Sequence, residues 1–401
     1  MSIPKFIKWT MWIIASIFYA YQYVLRVMPS IMLNDIMVQF NLNETSFGQF
    51  SGIYYIGYSL MHLPIGIMLD RFGPRKVMTG CILMTVVGLL PIIFSEYWVF
   101  PIVGRALIGI GSSAAILGTF KIIRMAFKQA HFTRMLSFSV TIGLLGAIYG
   151  GAPLSYMTDT LGYQSVVQIF ALAGVGLAVL TYLVVPEMEA THSASVIADM
   201  RKVFCNGKVI FLCILSGLMV GPLEGFADVW GNAFFKTAYG FDNTSSASLP
   251  SMVFTGMCFG GPILGFIGEK IGHLTTVLFS AVVMTGLFIL MLVGDLSMPA
   301  LRISLIVIGI SSAYQILAIY AASTFVDESV AGLTTAVANM IIMIFGYAFH
   351  SVMGLVIKSF GGTSSIKALQ YGISVIPIAL LISTVGVALL IFKSPKQQLN
   401  H

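Results

Sequence analysis

Among the ionisable side chains that stand in stretches otherwise apolar are Arg26, Arg105, Glu224, and Asp228 four residues after Glu224. A charge at the centre of a membrane helix costs at least ~2.5–3.5 kcal/mol on insertion scales, so such groups default to functional roles. A guanidinium can grip a carboxylate through paired hydrogen bonds, and a carboxylate can hold an ammonium group or a proton. Steps of three, four and seven residues return to one helix face. Arg26 therefore shares a face with Tyr19, Gln22, Tyr23 and Ser30, while Glu224 and Asp228 share one with Gly217, Gly221 and Gly231. Further candidates for solute contact are Tyr54, Tyr55, Tyr58 and His62, then Tyr149 and Tyr156, Tyr314 with Gln315, and Asn339 with His350. Tyrosine can stack on or bond a small solute, and it serves equally as a packing residue or interface anchor. His350 joins Glu224 and Asp228 as a candidate proton carrier, with structural hydrogen bonding as its other role.

The elements that must position these groups are membrane helices. The chain has 401 residues, 58% apolar and only 9% charged, with a mean hydropathy of +0.94; a soluble domain carries about 25% charged residues. The net charge of +6 comes from short basic clusters between apolar stretches and forms no basic face, which argues against nucleic acid as a partner. Cys81, Cys205, Cys213 and Cys258 lie far apart, with no C-x-x-C pair and no histidine at ligand spacing. No nucleophile pattern or phosphate loop occurs either, so no enzyme activity, cofactor or metal is expected.

A spanning helix needs roughly 20 apolar residues. That template predicts twelve, at approximately 9–34, 45–69, 75–95, 98–126, 135–158, 164–185, 208–236, 246–268, 274–294, 299–325, 331–357 and 368–392. With both termini cytoplasmic, the inside segments collect Lys5, Lys8, Arg71, Arg75, Lys76, Lys121, Arg124, Lys128, Arg134, Arg201, Lys202, Lys208, Lys270, Lys393 and Lys396. The outside keeps only Lys236, Arg302, Lys358 and Lys367, and this asymmetry sets the orientation. Lys121 and Arg124, near the inner end of the fourth span, can snorkel to the interface. Residues 186–207 are polar and read as a cytoplasmic linker between bundles at 1–185 and 208–401.

The two halves repeat. An offset of 199 residues carries Gly66, Asp70, Arg71 and Gly73 onto Gly265, Glu269, Lys270 and Gly272, and Ser112-Ser113-Ala114 onto Ser311-Ser312-Ala313. The stretch Gly66-Ile-Met-Leu-Asp70-Arg71-Phe-Gly73-Pro-Arg75-Lys76 resembles the G-x-x-x-D-R-x-G-x-R-K signature of the major facilitator superfamily. Arg105-Ala-Leu-Ile-Gly109-Ile-Gly111 is similar to the family's R-x-x-x-G-x-G pattern. The glycines 143, 146, 150 and 151 resemble its antiporter motif, except that Ala147 stands where that motif has proline.

The resemblance implies an all-α membrane protein with twelve transmembrane helices in two pseudo-symmetric six-helix bundles. It implies that Gly66, Asp70, Arg71, Gly73, Arg75 and Lys76, with Glu269 and Lys270, form a conformational latch. Asp70 would meet the positive end of the eleventh helix. Arg105 would have a structural or proton-relay role. The first and seventh helices are repeat partners that line the family's central cavity, so Arg26 and Glu224 would offer a cation and an anion to the solute path. The same two groups can also pair with each other, and a bridge that opens on solute or proton arrival is itself a gate. The expected activity is proton-coupled uptake of an amino acid, short peptide or related carboxylate by a monomer in a bacterial inner membrane. The alternatives are a proton-driven exporter of drugs or siderophore-like compounds and an uncoupled uniporter.

Overall fold

The computed structural model describes residues 4–187, 196–294 and 296–393, and among them every regular element is helical. Lipid offers the backbone no hydrogen-bond partners, so each apolar run closes its bonds within itself. In chain order the helices are α1 (Lys5–Ile31), α2 (Leu33–Gln39), α3 (Glu44–Phe94), α4 (Val99–Ala126), α5 (Phe132–Tyr149), α6 (Ala152–Leu161), α7 (Tyr163–Val184), α8 (Val196–Phe204) and α9 (Gly207–Gly217). A π-helix, Gly221–Trp230, then leads to α10 (Gly231–Ala238), α11 (Asn243–Ile271), α12 (His273–Val293), α13 (Met298–Ser312), α14 (Tyr314–Ser323), α15 (Glu328–Ser359) and α16 (Ile366–Lys393).

Among the described residues, ten helical stretches are long and apolar enough to cross a bilayer. They number eleven if the pair 134–149 and 152–161, bent by 41°, forms one span. Continuous helices therefore do not reach the expected twelve, because α3 runs for 51 residues through two of the sequence-derived spans. Gly73 divides α3 into two helices with φ 80° and ψ 161°, a conformation open essentially to glycine alone. Gly272, 199 residues on, separates α11 from α12 with φ 90° and ψ 144°. The duplicated sequence thus folds into a duplicated turn.

Two compact units emerge: Met1–Leu42 with Gln49–Ala194, and Asn43–Gly48 with Ser195–His401. Of the expected linker, 188–195 lie outside the described residues, and the polar run beyond them forms α8. That helix buries Val203 beside Val209 and Leu212. The Asn206 side chain accepts from the backbone of Lys208 and Val209 and donates to the Phe325 carbonyl at 2.8 Å.

Glycines set the helix crossings in each unit. A Cβ on Gly57 would lie 2.5 Å from the Ala106 carbonyl and one on Gly109 2.0 Å from that of Tyr54, which locks α3 to α4. In the second unit, Gly256 meets the Ile306 carbonyl and Gly309 that of Val253, each at 2.0 Å, which locks α11 to α13. Such small-residue contacts let backbones approach where lipid supplies no hydrophobic drive. Gly143 and Gly146 of α5 and Gly150 just past its end likewise pack on Tyr19, Ala20 and Val27 of α1, so the stretch resembling an antiporter motif forms a helix contact here.

Candidate functional site

In the first unit the site grows from Pro29 inside α1. Proline lacks an N–H, so the carbonyl four residues earlier loses its helical donor. That carbonyl belongs to Leu25, and it accepts from Arg105 Nη1 of α4 at 2.6 Å. Arg105 Nη2 donates to the Arg26 carbonyl at 2.7 Å, and its guanidinium stacks 4.9 Å from the centre of the Tyr54 ring. Arg105 is 2% exposed and holds the backbone that carries Arg26. The planar fork of five N–H donors suits two adjacent carbonyls, which a lysine ammonium does not.

Arg26 is itself buried, with its guanidinium 5.1 Å from the Tyr23 ring and 5.3 Å from that of Tyr55. Such cation–π contacts keep a buried cation favourable where water is scarce. Tyr54 donates to Gln22 Oε1 at 2.7 Å and stacks on Tyr58 at 6.0 Å, and Tyr58 meets His62 at 5.4 Å. Tyr19 packs against Tyr23 at 5.3 Å. The structure thus gathers Tyr23, Arg26, Tyr54, Tyr55 and Tyr58 into one cluster. Tyr149 and Tyr156 stay outside, 44% and 65% exposed.

The two acidic candidates lie on the π-helix of the second unit, where Glu224 and Asp228 are 0% exposed. The i→i+5 pattern changes which residues share a side, and such segments are frequent at functional sites. Gly217 packs on Phe345, Gly221 on Phe349, and Gly225 on Phe349 and Met353 of α15, while Gly231 turns to Pro250 and the Phe226 carbonyl. Glycine spaced by four here seats the phenyl rings of a neighbouring helix. The ring Nε2 of His350 meets the Glu224 carbonyl; a carbonyl only accepts, so this nitrogen carries the proton. Leu25 and Glu224 stand 199 residues apart, so in both units a side chain from another helix bonds the repeat-equivalent carbonyl.

Tyr314 donates to the Ser216 carbonyl at 2.6 Å, tying α14 to α9. Gln315 is buried next to it in sequence, and Asn339 is half-buried on α15. No group of three or more metal-ligating side chains gathers among the described residues.

The latch residues make contacts of their own within the first unit. Asp70 pairs with Lys121 at 2.7 Å. Arg75 lies 4.1 Å from the centre of the Tyr182 ring, Arg71 5.5 Å from that of Phe72, and Lys76 pairs with Glu187. In the second copy Lys270 sits over Phe266 at 4.2 Å. Arg124 stacks on Phe132 at 5.5 Å. Sequence reasoning missed the Arg105 bonds and the π-helix. A proline in a buried span was the available signal for the first; Pro222 among glycines was a weaker one for the second.

Comparison with known proteins agrees with this architecture. The family model described as Major Facilitator Superfamily matches residues 11–350. The nitrite extrusion protein of Bacillus subtilis (strain 168) is 22% identical over 274 residues, 64% of each chain, so just under two thirds of that relative is spanned. The lysosomal dipeptide transporter MFSD1 of Danio rerio is 25% identical over 321 residues, 72% of this chain and 67% of the relative. A solved bacterial homologue of the human lysosomal transporter Spinster superposes with a TM-score of 0.79 at 15% identity, covering 99% of both chains. The nucleoside transporter NupG gives 0.75 at 17% identity, covering 96% of this chain and 98% of its own. At such identities the likeness to solved structures is one of fold. With its multi-pass helices, duplicated glycine turn and matching family model, the chain belongs to the Major Facilitator Superfamily.

Proposed function

We propose that the chain is a secondary active transporter that takes up a small zwitterionic or anionic metabolite by alternating access, coupled to protons. The substrate class is an amino acid, a short peptide or a related carboxylate. The observation that carries this reading is the pair of fully buried carboxylates, Glu224 and Asp228, on a non-α segment of a spanning stretch. Charges placed there at a cost of several kcal/mol have a task, and exchange of a proton or an ammonium group is the task a carboxylate performs. Arg26, set among tyrosines and held by Arg105, supplies the complementary grip on a carboxylate. The relative named for dipeptide transport supports a zwitterion. The setting is a bacterial inner membrane, with both termini cytoplasmic by the distribution of basic residues.

A ligand-panel thermal-shift screen on the purified protein tests the site chemistry. Amino acids or dipeptides should raise Tm in the native chain. Arg26→Ala should abolish the shift for every carboxylate ligand, and Glu224→Gln should remove it for zwitterions while sparing simple anions. Binding that survives Arg26→Ala unchanged contradicts the reading.

A second reading, extrusion of a small inorganic anion, draws on the relative named for nitrite and on the arginine pair Arg26 and Arg105. The same screen separates it: nitrite alone would then raise Tm, and Glu224→Gln would not matter.

A further inference from the structure

The first residues of α3 belong with the second unit, and their packing there is tight enough to be informative. A Cβ on Gly48 would stand 2.3 Å from the His350 carbonyl oxygen, and one on Gly354 2.4 Å from that of Glu44. Both would also crowd the Trp230 indole, at 3.4 Å and 3.0 Å from Cζ2. Phe47 meets the Trp230 ring edge-on at 5.9 Å. Glu44 Oε1 accepts from the backbone N–H of Thr363 at 2.9 Å, beside Gly362, whose φ is 77°. By the basic-residue distribution this seat lies at the non-cytoplasmic end.

His350 is common to the seat and to the acidic segment. Its carbonyl lies under Gly48 and accepts from Trp230 Nε1 at 3.3 Å, while its ring donates to the Glu224 carbonyl. Glu224 and Trp230 both lie on the π-helix. We infer that His350 and Trp230 are positioning residues that make the geometry of the Glu224–Asp228 segment depend on whether Asn43–Gly48 is seated. A π-helix is intrinsically less stable than an α-helix and needs outside ties. Seating supplies them through the His350 ring and the Trp230 indole. Unseating removes one wall of that indole, and the segment rewinds as α-helix, displacing Asp228 by one residue or about 100° around the axis. The state of the outer end of α3 is thereby passed to the acids. This inference rests on the transporter reading for its purpose, but its test needs no solute.

The test uses the full chain with Thr45→Cys, a position whose hydroxyl is buried in the seat. It follows labelling of that cysteine by a membrane-impermeant maleimide, and deuterium uptake of residues 221–230, both by mass spectrometry. Gly48→Leu should raise both rates roughly tenfold or more, since local opening governs each. Gly354→Ala, a milder change at the same crossing, should raise both in the same proportion. Trp230→Phe keeps an aromatic ring but loses the Nε1 donor and the outer edge of the indole, so it should speed uptake in 221–230 by a larger factor than labelling. Gly286→Leu, at a position open to its surroundings, should change neither. Labelling that rises while uptake in 221–230 stays at the native rate overturns the relay, as does a Trp230→Phe chain with native uptake. A relay that behaves as described in a protein that moves no solute would leave this inference standing and remove the transporter reading.

Discussion

A proline inside a buried helix leaves a carbonyl that must find another donor, and Arg105 answers Pro29 by bonding Leu25 and Arg26. Each such charge-assisted bond contributes about 1.5–3 kcal/mol, because its loss strands a buried acceptor. Arg105→Lys keeps the charge but reaches one carbonyl, so thermal unfolding in detergent should show a loss of about 2 kcal/mol. Binding at Arg26 should weaken with it. An unchanged Tm would mean that water or another donor serves these carbonyls. Glu187 offers a test by pH. The bond and charge of Lys76 hold its carboxyl below the ordinary value of 4.5. A depressed carboxylate contributes stability above its unfolded pKa and loses that contribution as pH falls through the folded value. The native chain and Lys76→Gln should therefore differ slightly near neutrality and converge below pH 4.5, with the gap shrinking in salt because the pair is exposed. At this scale the face shared by Tyr23 and Arg26 was legible from helical spacing. The fork from Arg105 was not, since no local pattern links residues so far apart in sequence.

Helices were legible where an apolar run met the length of a bilayer, and less so where tertiary bonds reshaped them. The first span divides into α1 and α2 beyond Pro29, the fifth bends between α5 and α6, and the polar run before α9 winds into α8. Propensity and hydropathy do not report such breaks, because partners on other helices stabilise them. The π-helix is the clearest instance, since a spacing rule built on 3.6 residues per turn does not describe Gly221–Trp230. The glycine turns were legible, since the motif recurs. Gly73→Ala and Gly272→Ala should each cost about 1–3 kcal/mol, because both positions hold a conformation nearly closed to other residues. Denaturant unfolding of the two variants would measure it, and a cost at one turn alone would break the structural equivalence of the copies. At Gly217, where a Cβ would come 2.3 Å from Phe345, Gly217→Ala should lose about 1–3 kcal/mol by overpacking α9 against α15.

For the molecule as a whole, the 199-residue offset was the most informative signal, since it joined separate motifs in one register that the glycine turns then followed. The solute was not legible, because recognition depends on side chains brought together by many helices. Orientation can be checked directly in intact cells. Impermeant maleimide should label Tyr97→Cys, a highly exposed position, and spare a cysteine at Arg71. The central claim is that a proton gradient drives a carboxylate-bearing solute across the membrane, with Arg26 holding the carboxylate and Glu224 carrying the proton. Its most direct test is accumulation in proteoliposomes with an imposed inward proton gradient, across amino acids and dipeptides, for the native chain and Glu224→Gln. The account predicts accumulation above the external concentration in the native chain, collapse when the gradient is dissipated, and mere equilibration with Glu224→Gln. Equal uptake with and without the gradient, or full accumulation by Glu224→Gln, would contradict it.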